Sequence, residues 1–193
     1  MGIMGKFCSL VLRFQLIAFL GVIVLGCTPK EAIPVSVVDA STRVVDGLKV
    51  RKPEGPGPFP TVIYFHGASN TSWYPAQETI LAGFVKQGFA AVFVDMYHGR
   101  GVGGEAVRSG SLLPRATAGD AFVAIDWVRN QPWAAPKKIG LFGVSFGAAT
   151  IMDTLVLDAP GKLPTSIQEK PAKGLSGVQG AALLSPWCAE DVM

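Results

Sequence analysis

The sequence predicts a three-layer α/β/α domain around a mostly parallel sheet. Three observations carry that expectation. Four short apolar runs, at 61–65, 89–94, 138–143 and 178–185, read as strands buried on both faces. Segments with helical spacing lie between them, and alternation of this kind implies right-handed crossovers joining parallel strands. Glycine-bearing loops follow the first three runs, at the strand ends where such sheets gather their functional groups.

The elements follow in chain order. "VSVVDA" (35–40) and "RVVDGLKVR" (43–51) alternate β-branched residues and read as two strands with a tight connection. "KPEGPGPFP" (52–60) is a Pro/Gly loop unsuited to a sheet interior. "TVIYF" (61–65) is the first buried strand. Residues 76–87 place Ile80, Leu81, Phe84 and Val85 on one helical face, and Gly88 is a natural stop. "FAAVFV" (89–94) is the second buried strand, and "MYHGRGVGG" (96–104) is a Gly-rich loop. A second helix over 115–130 carries Ala118, Phe122, Ile125 and Val128 and stops before Pro132. "KIGLFG" is the third buried strand, and a third helix runs from Phe146 through Met152. Residues 158–177 read as a polar surface excursion, and "VQGAALLS" (178–185) as a fourth buried strand.

Ahead of this domain, Lys6 and Arg13 precede the uncharged run "FQLIAFLGVIVLG" (14–26), which ends at Cys27. The run is short for a membrane span and suits the apolar core of an export signal. Its end, Val24-Leu25-Gly26-Cys27, resembles a bacterial lipoprotein signal, in which Cys27 becomes the lipidated N-terminus. An ordinary signal peptide or a short anchor is the alternative. The expected organisation is a signal at 1–27, a tether at 28–34 and one domain over 35–193, on an exported, membrane-anchored protein. Cys8 would leave with the signal and Cys27 would carry lipid, so Cys188 would be left without a disulfide partner. The signal also removes two of the 17 basic residues; against 14 acidic ones the remainder is near neutral. No basic block is present, so nucleic acid is not an expected partner. Two separated histidines and one remaining cysteine make no metal-ligand set.

The chemistry-bearing signal is Gly143-Val144-Ser145-Phe146-Gly147. The pattern G-x-S-x-G is weak alone, but here it joins a buried strand directly to a helix. That is the context of a nucleophile held on a strained turn, with small neighbours and free helix N–H groups close by. The plainer alternative is that Ser145 only begins a helix. His66-Gly67 follows the first buried strand, where a second oxyanion donor would arise. The donors expected are the N–H groups of Phe146 and Ala68, with His66 supporting the loop.

With "GFAAVFVDMYHGRG" (88–101), "DAFVAIDWVRNQPW" (120–133) and "KIGLFGVSFGAAT" (138–150), the chain resembles the dienelactone hydrolase family of α/β-hydrolases, from about Val62 to Trp187. The resemblance implies an α/β-hydrolase fold and a nucleophile–histidine–aspartate triad that cleaves small-molecule esters or lactones without a cofactor. Three departures qualify it. The family's well-studied members have cysteine where this chain has Ser145, and a glutamate near the position of His66. Arg100 lies near a family arginine that holds a substrate carboxylate, but a loop-bracing role fits it as well.

Triad order in this fold is nucleophile, acid, histidine, yet no histidine follows Ser145. Asp153, Asp158 and Glu169 are poorly placed for the acid; Glu190 or Asp191 is either a variant acid or simply terminal. His98 could substitute as a base from its Gly-rich loop. The expectation is therefore a serine hydrolase whose sheet stops before the last strands and which is inactive or impaired in this form. A non-catalytic binding module and a transferase using the same turn are the other readings.

Overall fold

The computed structural model describes residues 33–69 and 71–187. The segment expected as an export signal, Cys27, Cys188, Glu190 and Asp191 lie outside them.

Five strands form one sheet: β1 (Lys49–Arg51), β2 (Phe59–Phe65), β3 (Ala90–Val94), β4 (Ala134–Val144) and β5 (Val178–Leu184), in the order β1-β3-β2-β4-β5. Only β1 is antiparallel to its neighbour; β2, β3, β4 and β5 pair in parallel. Helices α1 (Val37–Gly47), α2 (Pro75–Lys86), α3 (Gly104–Arg108), α4 (Pro114–Arg129) and α5 (Phe146–Leu157) complete the fold.

The pleat sorts side chains to two faces, because successive residues of a strand point oppositely. Ile63, Phe65, Val92, Val94, Ile139 and Leu141 enter the larger core with residues of α1, α4 and α5. Tyr64, Ala91 and Phe93 face Leu81 of α2 in a smaller one. This is the expected three-layer arrangement, and it holds the carboxyl ends of β2, β3 and β4 level at one edge of the sheet.

Most boundaries fall close to the sequence reading, with four corrections. The segment expected as two strands over 35–51 is instead α1 followed by the short β1. Ser36 caps the helix, its Oγ accepting from Asp39 N at 3.2 Å, and Val37, Ala40, Val44 and Gly47 recur at helical spacing. Ala40 and Val44 are buried, in the core shared with α4; tertiary packing overrides the β preference of the valines.

The Pro/Gly loop ends earlier than expected. Phe59 and Pro60 already belong to β2, where Phe59 N donates to Trp133 O at 2.7 Å. The excursion after α5 is only partly surface. Ile167 is buried, Ser166 Oγ donates to Ala116 O at 2.6 Å, and Gly119 leaves the space that admits both residues. The fourth strand is present, but it is exposed along nearly its whole length rather than buried.

Candidate active site

Ser145 stands between the end of β4 and the start of α5 with φ 52° and ψ −112°. A non-glycine residue in this region carries a backbone cost of about 1–3 kcal/mol and persists only where its surroundings over-determine it. The surroundings do so here. Ser145 N donates to Leu184 O at 2.9 Å, while Ser145 O accepts from Ala149 N at 3.1 Å and Trp187 N at 3.2 Å.

Both flanking glycines are required by contact. A Cβ on Gly143 would lie 2.6 Å from Gly147 O, and one on Gly147 would run into the Phe65 carbonyl at the end of β2. The Ser145 side chain makes no capping hydrogen bond to α5. An ordinary N-cap serine has extended backbone and bonds the N2 or N3 amide. Ser145 does neither, and it is half-buried rather than lost in the core.

Two backbone amides lie close to this serine. Phe146 holds the first position of α5, where the helix supplies no acceptor for its N–H. On the other side, a Cβ on Gly67 would lie 3.5 Å from Ser145 Cβ, so the loop after β2 runs directly alongside. The next residue, Ala68, has an N–H with no acceptor among the described residues. Among the described residues both expected oxyanion donors are thus free of partners, and they border the same serine.

His66 is fully buried beneath this loop. Its Nδ1 lies 2.8 Å from Gly67 O, and Met96 N donates to Nε2 at 3.1 Å. A backbone N–H needs an acceptor at Nε2, so the proton resides on Nδ1 and the ring is neutral. Burial holds its pKa below the ordinary histidine value, against the opposing influence of the Gly67 hydrogen bond and the charges of Asp95 and Asp120. With both nitrogens engaged, His66 is not placed to take a proton from Ser145.

Asp95, at the end of β3, accepts from Tyr97 N at 2.9 Å and His98 N at 3.1 Å through one oxygen and from Ser72 Oγ through the other. It ties the loops after β2 and β3 together. His98 is exposed with its side chain against Gly47, at the end of α1. No hydrogen bond among the described residues joins it to Ser145.

Arg100 is engaged elsewhere. Its Nη1 and Nη2 bond Asp120 at 2.7 and 3.1 Å, and Arg43 of α1 reaches the same carboxylate at 2.6 Å. Asp120 is 0% exposed. Of the two roles weighed from sequence, substrate binding and bracing, this geometry is the bracing one.

Asp153 lies on the buried side of α5, where burial raises its pKa. Asp158 accepts from Leu175 N at 3.3 Å, and Glu169 from Val37 N at 3.1 Å. Both carboxylates are structural.

Two residues near the site had no sequence signal. Arg108 of α3 donates to Ala68 O at 3.3 Å and so holds the oxyanion loop from outside. Trp187 is half-buried, its ring 6.2 Å from that of Phe146 and its amide on Ser145 O. A second left-handed serine, Ser185 with φ 47°, lies between it and β5. Neither residue belongs to a periodic pattern, and only folding brings them to Ser145.

A mostly parallel sheet with helices on both faces and a strained serine between β4 and α5 defines an α/β-hydrolase fold. Comparison with protein families narrows this. Residues 46–173 match the X-Pro dipeptidyl-peptidase (S15 family), and the chain belongs to that family. The matched stretch contains His66, Ala68, Asp95 and Ser145.

Comparison with curated proteins gave no match. Among solved structures, the chain is similar to Thermogutta terrifontis esterase 2 phosphonylated by cyclosarin, at TM-score 0.53 and 23% identity over 72% of this chain and 50% of that one. The propionate-bound form of that esterase gives TM-score 0.51 and 24% identity, over 72% and 49%. Esterase Est22 gives TM-score 0.54 and 19% identity, over 74% and 40%. These likenesses establish the fold, and the chain spans half or less of the length of these three structures.

Proposed function

We propose that the protein is a serine hydrolase acting on small carboxylic esters or lactones. Ser145 is the nucleophile, and the N–H groups of Phe146 and Ala68 stabilise the oxyanion. The observation that carries this reading is the left-handed, half-exposed Ser145 with no capping bond, set between two unpartnered amides. When the Ser145 oxygen bonds the substrate carbonyl carbon, the carbonyl electron pair moves onto oxygen, where the two N–H groups receive it. Donors fixed in advance act without reorganising, which is why such sites lower the barrier. The hydroxyl proton passes to a base outside the described residues, since His66 and His98 are both held away from it.

A near-neutral domain agrees with a small ester rather than a nucleic acid as substrate. The likeness to esterases in fold supports the same choice, as does the resemblance to dienelactone hydrolases, although with His66 near the place of their glutamate it carries no preference for lactones. The N-terminal sequence supports export and attachment to a bacterial membrane through lipid on Cys27.

A fluorophosphonate probe tests the assignment. The full-length protein is expected to be labelled at Ser145, with labelling lost in Ser145→Ala. Unchanged labelling in that variant rejects it. The placement of both histidines favours a second reading, a binding module with a hydrolase fold. It predicts neither labelling nor ester turnover, and detergent extraction of a lipidated protein would be unaffected by the outcome.

A further inference from the structure

The strongest unassigned feature is the pair of hydrogen bonds that fixes the His66 ring. Nδ1–H donates to Gly67 O, and Nε2 accepts from Met96 N–H. The ring stacks on Phe93 at 5.5 Å and meets the edge of Tyr97 at 4.6 Å, so it cannot swing away. A planar trans peptide points its C=O and N–H in opposite directions. The carbonyl of Gly67 and the amide of Ala68 belong to one such peptide. Whatever holds the carbonyl therefore aims the amide.

We propose that His66 is a positioning residue for the oxyanion cradle: its Nδ1–H draws the Gly67 carbonyl under the loop and so turns the Ala68 N–H toward the crevice beside Ser145. This rests on the assignment of Ser145 as nucleophile made above. Three further contacts hold the turn that follows. Ser69 N also donates to Gly67 O, at 2.9 Å, Arg108 Nη1 bonds Ala68 O at 3.3 Å, and Gly104 lets the start of α3 close against the Ser69 and Ala68 carbonyls. Ser69 N and Arg108 close the turn; among the described side chains only His66 fixes the Gly67 carbonyl from within the sheet.

Two substitutions separate aiming from simple support. His66→Asn keeps a donor close to the Nδ1 position, whereas His66→Gln keeps an acceptor close to the Nε2 position and leaves Gly67 O without its side-chain donor. Second-order labelling of the full-length protein by the fluorophosphonate probe is expected to fall about tenfold or more in His66→Gln and to stay within about threefold in His66→Asn. A merely structural role predicts that labelling follows thermal stability in both variants, and equal losses in the two overturn the proposal. Imidazole ¹⁵N resonances at neutral pH give a readout independent of labelling. A neutral ring protonated at Nδ1 supports the proposal, and a ring protonated at Nε2 or at both nitrogens overturns it. A wild-type protein that takes no label while showing the Nδ1–H ring rejects the nucleophile assignment, and the aiming role falls with it; a labelled protein with the other tautomer rejects the aiming role alone.

Discussion

β3 and β5 are both short and apolar, and they pair in parallel with β2 and β4 respectively, yet they end in opposite surroundings. All five residues of β3 are buried, between α2 on one face and the larger core on the other. β5 is exposed from Gln179 to Leu184, with Leu184 55% accessible, and no described strand pairs with its outer edge. Met152, Leu155 and Val156 of α5 add further exposed apolar surface. The difference teaches that an apolar run specifies a strand but not its cover. Cover comes from the elements packed on either side, and an apolar edge left open is a site for association.

If the covered half is close-packed and the edge is not, substitutions should divide along that line. The largest effect is expected at Asp120. Removing it in Asp120→Ala leaves the guanidinium groups of Arg43 and Arg100 without their buried counter-charge, and denaturant melts should show a loss of about 3–5 kcal/mol. A loss under about 1 kcal/mol would mean that this half is looser than its contacts imply.

Next come two glycines compared directly. Gly147→Ala forces a methyl group into the Phe65 carbonyl and should cost about 3 kcal/mol, with backbone shifts that also disturb Ser145. Gly180→Ala on β5 meets nothing within 4 Å, and stability should change by about 0.5 kcal/mol or less. Equal effects in the same unfolding assay would erase the contrast.

The smallest effect is a pH slope. His66 has its folded pKa held below the unfolded value by burial, partly offset by the Gly67 hydrogen bond and by Asp95 and Asp120. The unfolded chain therefore binds a proton that the folded chain refuses. Stability from this group is complete above about pH 6.5 and is lost as pH falls below it, by at most about 1.4 kcal/mol per pH unit. Melts between pH 7 and 5 should show the slope in the wild type and its reduction in His66→Asn.

The sequence was most legible where one local pattern decides the structure. The buried runs of β2, β3 and β4 were plain from their composition, as was the G-x-S-x-G turn from its position between strand and helix. The valines of α1 misled because their preference for strands is local, whereas the helix is set by Ser36 and by burial of Ala40 and Val44 in a core shared with a helix some eighty residues away. The exposure of β5 was likewise not a local property. Phe146 and Ala68 could be singled out in advance because their amides are backbone groups at fixed offsets from Ser145 and from the end of β2. Arg108 and Trp187 could not, since their contacts exist only after distant segments meet.

One hydrogen bond links the two regions. The amide of Ser145 is held by the carbonyl of Leu184, so the strained turn draws part of its restraint from the most open strand of the sheet. Fraying at that rim would relax the serine toward commoner backbone angles and swing its oxygen off target. Anything that clamps the rim would therefore steady the Ser145 turn from a distance, without touching it.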